Sequence, residues 1–177
     1  SNIFVLNTPG NRIAIKLIDF GLGKETTGNM EITKTGQVLG SPMYMAPEQI
    51  ESQEIDHRSD IYALGMTLYH ALSGHAPYSG EVNQVLMAQL LKMPPRIQEI
   101  NPQLTTTPPL LEWIIFQAIQ KNPDHRFVSV KQFYDALSIC EQSLLSNQTM
   151  SLSLQHGKLI QQDGTEVDIQ QLAKHPS

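Results

Sequence analysis

The sequence predicts a mainly α protein with a small β-hairpin at its front, and three observations carry that prediction. The apolar, β-branched runs at residues 3–6 and 13–18 flank Asn7-Thr8-Pro9-Gly10-Asn11, which has the composition of a turn. From residue 59 onward, apolar residues recur at helical spacing in four segments, each with a start or stop signal. Strands and helices do not alternate after the hairpin. A hairpin leading into four helices is no complete α/β layer, so one side of the architecture is expected to be missing.

The elements follow in order. After the hairpin, residues 23–42 are rich in Thr, Gly and polar side chains without periodicity, the mark of a long loop, and loops that long are functional or disordered. Ser59 is the expected N-cap of the first long helix, ahead of Ile61, Leu64, Leu68 and Leu72, and Gly74 stands where it ends. That segment is apolar on more than one face, which predicts a buried central helix. A second helix is expected over 82–91, stopped by Pro94-Pro95. Thr107-Pro108-Pro109 opens a third, whose stripe is Leu110, Leu111, Ile114, Ile115, Ala118 and Ile119. Ser129 with Gln132 is a capping-box pattern ahead of Phe133, Ala136, Leu137 and Cys140.

Composition narrows the function classes. The 177 residues, 40% hydrophobic and 16% charged, describe a soluble globular chain of about one domain. A net charge of −5 with no basic cluster argues against a nucleic-acid partner. No apolar stretch approaches membrane-spanning length. Cys140 has no second cysteine to pair with, which points to a reducing, cytoplasmic compartment. Ser rather than Met at position 1 fits a piece of something longer.

Chemistry enters at residues 15–23, I-K-L-I-D-F-G-L-G. A buried strand that ends on Asp19, with Phe20, Gly21 and Gly23 behind it, has two readings. It is a strand closing in a turn, because Asp and Gly suit turn angles, or it is a device that holds Asp19 still as a metal ligand. Further on stand Ala46-Pro47-Glu48, then Asp60-Ile61-Tyr62-Ala63-Leu64-Gly65, then Asn122-Pro123-Asp124-His125-Arg126. Alone, Ala-Pro-Glu is a helix start. D-F-G and A-P-E at loop separation, with the two later motifs in the same order, resemble the C-terminal lobe of eukaryotic-like protein kinases. The wording Tyr44-Met45-Ala46-Pro47-Glu48-Gln49 and residues 59–78 resemble the bacterial serine/threonine kinases of that family most.

The resemblance covers about residues 1–140 and implies a kinase-like C-lobe lacking the N-lobe and the start of the catalytic loop. Asn2 is similar to the Asn that closes the catalytic loop. The general base would then lie upstream of Ser1, and no catalytic residue in the strict sense would fall within this chain. Asn2 and Asp19 would hold Mg²⁺, whose preference for hard oxygen ligands suits an amide oxygen and a carboxylate. Asp19, Phe20 and Gly21 would border ATP, with Phe20 packed beneath the site and Gly21 letting the loop turn. Glu48 and Arg126 resemble the family's buried ion pair. Asp60 resembles the carboxylate that accepts backbone N–H bonds from the catalytic loop; on its own it is a first-turn Asp favoured by the helix dipole.

Within the activation loop, Ser41 sits where serine/threonine kinases carry a hydroxyl, which implies protein Ser or Thr as the acceptor. Thr33 and Thr35 fall where related bacterial kinases are autophosphorylated, and a phosphate there could order the loop; as plain residues they are solvated loop threonines. The expected partners are protein substrates and the missing N-lobe of the same chain, with no nucleic acid and no membrane segment. Residues 141–177 escape the resemblance. They read equally as a linker toward a further region or as a small hairpin on Asp163-Gly164. The rival to an enzyme is a pseudokinase or docking module acting by contact alone.

Overall fold

The structure, a computed structural model, describes residues 3–8, 10, 12–17, 42–104, 107–145, 152–155, 158–161 and 164–167. The chain divides into two compact units, Ser1–Met30 and Glu31–Ser177. It is mainly helical with a two-stranded antiparallel hairpin, as the sequence predicts.

The described residues of the first unit form that hairpin. Strand β1 (Ile3–Thr8) pairs with β2 (Arg12–Leu17) from Ile3↔Leu17 to Thr8↔Arg12. Asn7 and Thr8, assigned to the turn by composition, belong to the ladder, which leaves three residues to reverse the chain. A three-residue hairpin loop needs a left-handed position, and Gly10 supplies it at φ +87.

The second unit is built around α2 (His57–Ser73). A 3-10 turn (Pro42–Tyr44) and the short α1 (Pro47–Ile50) precede it. After it come α3 (Val82–Leu91), α4 (Ile97–Ile100), α5 (Pro109–Ala118), a second 3-10 turn (Pro123–His125) and α6 (Val130–Leu145). The short α4 is a single turn with no periodicity to betray it.

Helix α2 starts two residues before the expected cap. Asp56 is the N-cap, its carboxylate accepting from the Arg58 amide at 2.7 Å, while Ser59 lies buried inside the first turn. Gly74 ends the helix in the left-handed region at φ +74, as expected. The buried side is Ile61, Tyr62, Gly65, Met66 and Tyr69, whereas Leu64 is exposed and Leu68 and Leu72 are half-buried. The central position holds; the expected stripe was rotated about the helix.

Two apolar clusters meet on α2 and α5. One joins Ile61, Leu110, Ile114, Ala118, Phe127 and Phe133 with Cys140 and, from beyond α6, Val167. The other joins Tyr62, Met66, Tyr69, Tyr78, Val85, Ile97, Ile115 and Ile119. Each fully buried Ile contributes about 1.5–3 kcal/mol relative to exposure. The helices approach closely because Gly65 has no side chain: a methyl group there would lie 2.7 Å from Ile119 Cγ2 and 2.8 Å from Ala118 Cβ. The third helix keeps its predicted stripe, with Leu110, Ile114, Ile115, Ala118 and Ile119 buried and Leu111 half-buried.

The C-terminal stretch carries a hairpin that the sequence reading did not include, ahead of the one expected at Asp163-Gly164. Strands β3 (Leu152–Gln155) and β4 (Lys158–Gln161) pair antiparallel, and the chain then bends at Gly164, φ +86, to a single bridge between Ile160 and Glu166.

Candidate functional site

Of the residues singled out in the sequence, Asn2, Asp19, Phe20, Gly21, Thr33, Thr35 and Ser41 lie outside the described residues. Glu48, Asp60 and Arg126 lie within them. Among the described residues no group of three or more His, Cys, Asp or Glu side chains is placed to hold a metal ion.

Glu48 and Arg126, 78 residues apart, meet in the interior. The sequence prepares each end. Pro47 occupies the first helical position of α1, where a missing N–H costs nothing, and the Ala46 amide donates to Gln49 Oε1 at 2.9 Å. This directs Glu48 inward from the first turn. On the other side, Asn122 Oδ1 accepts from the Asp124 amide at 2.9 Å and closes the second 3-10 turn, from which Arg126 leaves in extended conformation.

The pair is bidentate: Arg126 Nη1 donates to Glu48 Oε1 at 2.7 Å and Nη2 to Oε2 at 2.8 Å. The side chains are 0% and 3% exposed. The other three guanidinium hydrogens are also placed. Nε donates to the Gln120 carbonyl at 2.7 Å, Nη1 to that of Arg58 at 3.0 Å and Nη2 to that of Lys121 at 3.0 Å. Ser59 Oγ donates to Glu48 Oε1 at 2.6 Å. All five arginine donors are therefore used, the condition under which a buried ion pair is tolerated. Burial alone would raise the Glu48 carboxyl, but the hydrogen bonds from Arg126 and Ser59 outweigh it and hold the group below the ordinary carboxylate range.

Three residues around the pair were given no role of their own by the sequence reading. The Tyr62 ring lies under the Arg126 guanidinium at 4.8 Å. Lys121 places its ammonium 5.3 Å from the ring centroids of both Tyr62 and Tyr78 and donates to their hydroxyls at 2.9 and 3.3 Å. Burial, and then the charge of Arg126, bring its pKa down to about 8. Gln89 is fully buried on α3. The available signal for it was a lone polar residue four places after Val85 on the inward face of an apolar helix.

Asp60 stands exposed in the first turn of α2. A second Arg–Glu pair, absent from the sequence reading, joins α4 to α5: Arg96 Nη2 donates to Glu112 Oε2 at 2.5 Å and the Ile97 amide to Oε1 at 3.2 Å. Among the described residues no buried side-chain polar atom lacks a partner.

With this geometry in place, comparison with known proteins is informative. The protein kinase domain model matches residues 1–143. The serine/threonine-protein kinase Pkn1 of Myxococcus xanthus is 36% identical over 139 residues, which cover 78% of this chain and 20% of that protein. The tyrosine-protein kinase MasK of the same species is 40% identical over 126 residues, covering 70% and 19%. The serine/threonine-protein kinase PknD of Mycobacterium tuberculosis is 34% identical over 131 residues, covering 71% and 19%. The match thus spans about a fifth of the length of each of these relatives.

Proposed function

The chain belongs to the protein kinase domain family, and from that premise we propose that it forms part of a serine/threonine kinase that transfers the γ-phosphate of ATP to protein Ser or Thr. The observation that carries the reading is the Glu48–Arg126 junction. It joins A-P-E at the end of the activation loop to a distant motif through a fully satisfied pair. In this reading residues 1–140 are the kinase part, and 141–177 are a linker or the start of a further region.

Asn2 and Asp19 carry the oxygen donors that suit Mg²⁺, and the ion would neutralise charge on the phosphates. Asp19, Phe20 and Gly21 border the nucleotide, Thr33 and Thr35 receive regulatory phosphate, and Asp60 supports the catalytic loop. Ser41 stands at the motif position where serine/threonine kinases carry a hydroxyl, which favours Ser or Thr as the acceptor. One relative is named a tyrosine kinase, so the acceptor is the first thing to measure. A cytoplasmic setting suits a protein that consumes ATP.

No H-R-D triplet occurs in the 177 residues. This chain by itself is therefore proposed to be inactive, since positioning and electrostatics supply nearly all of phosphoryl-transfer catalysis. The rival is a pseudokinase or docking module, favoured only if a longer protein that contains this chain lacks the H-R-D and the strand lysine; Asp19 and Asn2 favour the enzyme. The test is transfer from labelled ATP with Mg²⁺ to a generic protein substrate, followed by phosphoamino-acid analysis. The 177-residue chain should incorporate nothing. A longer protein that contains it should yield phosphoserine or phosphothreonine, and Asp19→Asn should reduce its rate on the order of a thousandfold. Phosphotyrosine would overturn the acceptor assignment, and an inactive longer protein would favour the docking module.

A further inference from the structure

Behind the ion pair runs a chain of hydrogen bonds that the kinase reading does not use. Lys121 Nζ donates to Tyr62 Oη at 2.9 Å, and Tyr62 Oη donates to Gln89 Oε1 at 2.5 Å. Gln89 Nε2 donates to the carbonyls of Met43 at 2.7 Å and Pro42 at 3.2 Å. Tyr62 and Gln89 are both fully buried.

The direction of this chain follows from its first member. An ammonium has donors only, so the Tyr62 oxygen must accept from Lys121 and turn its own hydrogen toward Gln89. That hydrogen needs Oε1 opposite it, which sends both amide hydrogens of Gln89 to the two carbonyls of the 3-10 turn. A flipped amide would set Oε1 against two carbonyl oxygens and Nε2 against a hydroxyl already accepting. The two carbonyls set the Gln89 amide, and Lys121 turns the Tyr62 hydroxyl to match it, so a residue that does not touch Gln89 completes its bonding.

The same tyrosine serves the other end of the segment. Its ring lies under Arg126, which grips Glu48, while its hydroxyl sets Gln89, which grips Pro42 and Met43. Both ends of the span from Pro42 to Glu48 thus depend on one side chain. We propose that Lys121, Tyr62 and Gln89 are positioning residues that hold the end of the activation loop, and through it the site where a protein substrate docks. The docking half rests on the kinase reading; the holding half does not.

The first arm is amide hydrogen exchange on this chain. The Met45 amide donates to the Pro42 carbonyl at 3.3 Å and reports the turn, while the Gln49 and Glu51 amides, bonded to the Ala46 and Pro47 carbonyls, report α1. Tyr62→Phe keeps the ring under Arg126 and removes only the hydroxyl. It should speed exchange at Met45 about tenfold, the factor one buried hydrogen bond commands, and leave Gln49 and Glu51 unchanged. Gln89→Leu should do the same, and Lys121→Met should shift Met45 less but in the same direction. Unchanged exchange at Met45, or an equal rise throughout the second unit, would overturn the proposal.

The second arm is kinetic, in a longer protein that transfers phosphate. Gln89→Leu should raise KM for the protein substrate about tenfold with KM for ATP unaltered, a split that general destabilisation does not produce. Equal change in both constants would overturn the docking half. If no longer protein transfers phosphate, the kinase reading fails while the exchange result stands.

Discussion

The two Arg–Glu pairs of the second unit start from the same ingredients and end differently. Glu48 and Glu112 are both buried, at 3% and 1% exposure. Arg126 is wholly enclosed, whereas Arg96 is 48% exposed and leaves part of its guanidinium in water. Arg126 meets three backbone carbonyls besides its carboxylate; Arg96 meets Glu112 and shares that load with the Ile97 amide. The first pair is a junction on which four stretches of chain converge, and the second is a strap over a helix end. A buried carboxylate alone therefore says little about importance. What its partner would leave behind decides it.

The largest expected effect is at the junction. Arg126→Ala strands Glu48 without its counter-charge and frees three buried carbonyls, at a cost of about 3–5 kcal/mol. That is a large share of the roughly 5–15 kcal/mol that holds a domain together. Urea unfolding measures it, and the variant should also reverse the acid response. In the parent, Glu48 ionises below its ordinary pKa and adds stability above pH 4.5 that is lost as pH falls through the lowered value. Without Arg126 that loss should disappear. A midpoint equal to the parent's would mean the junction is open to water.

Arg96→Ala should cost about 1–2 kcal/mol, because Glu112 keeps the Ile97 amide and water can enter where Arg96 stood. The same unfolding titration ranks the two variants. Equal losses would break the distinction between junction and strap.

The last effect lies at alkaline pH and belongs to the junction only. Lys121 releases its proton near pH 8 in the folded chain and near 10.5 when unfolded. Between these values the unfolded chain binds more protons, so stability should rise from pH 8 toward 10. Above 10 the tyrosines of the unfolded chain ionise, whereas burial keeps Tyr62, Tyr69 and Tyr78 protonated in the fold, so the trend should reverse. Unfolding midpoints at pH 7, 8.5 and 9.5 test this, and Lys121→Met should flatten the rise.

How far the sequence could be read follows the same division. The extent of α3 and the apolar stripe of α5 were legible because burial repeats with the helical period. The start of α2 was not. Asp56 and Ser59 are both able caps, and local sequence cannot reveal that the Ser59 hydroxyl is taken by Glu48 from another element. Motif likeness brought Glu48 and Arg126 together on paper. It could not supply the carbonyls of Arg58, Gln120 and Lys121, since a backbone oxygen leaves no trace in residue type. Gln89 was passed over for a related reason: a glutamine on a helix reads as surface until something buried needs both ends of its amide. The residues expected to hold metal, nucleotide and regulatory phosphate lie outside the described residues; they were legible as motif, because D-F-G and its spacing to A-P-E are local in sequence.

Gly65 has a mechanical consequence. The space it leaves on α2 receives Ala118 and Ile119 of the facing segment, and one turn away in either direction stand Ile61 and Leu68, which offer no such space. The two helices therefore mesh in one registry, like a tooth in a single notch, and sliding is blocked before it begins. Because both apolar clusters draw residues from both helices, a push on either is delivered to the other as displacement of a rigid unit, with little absorbed on the way.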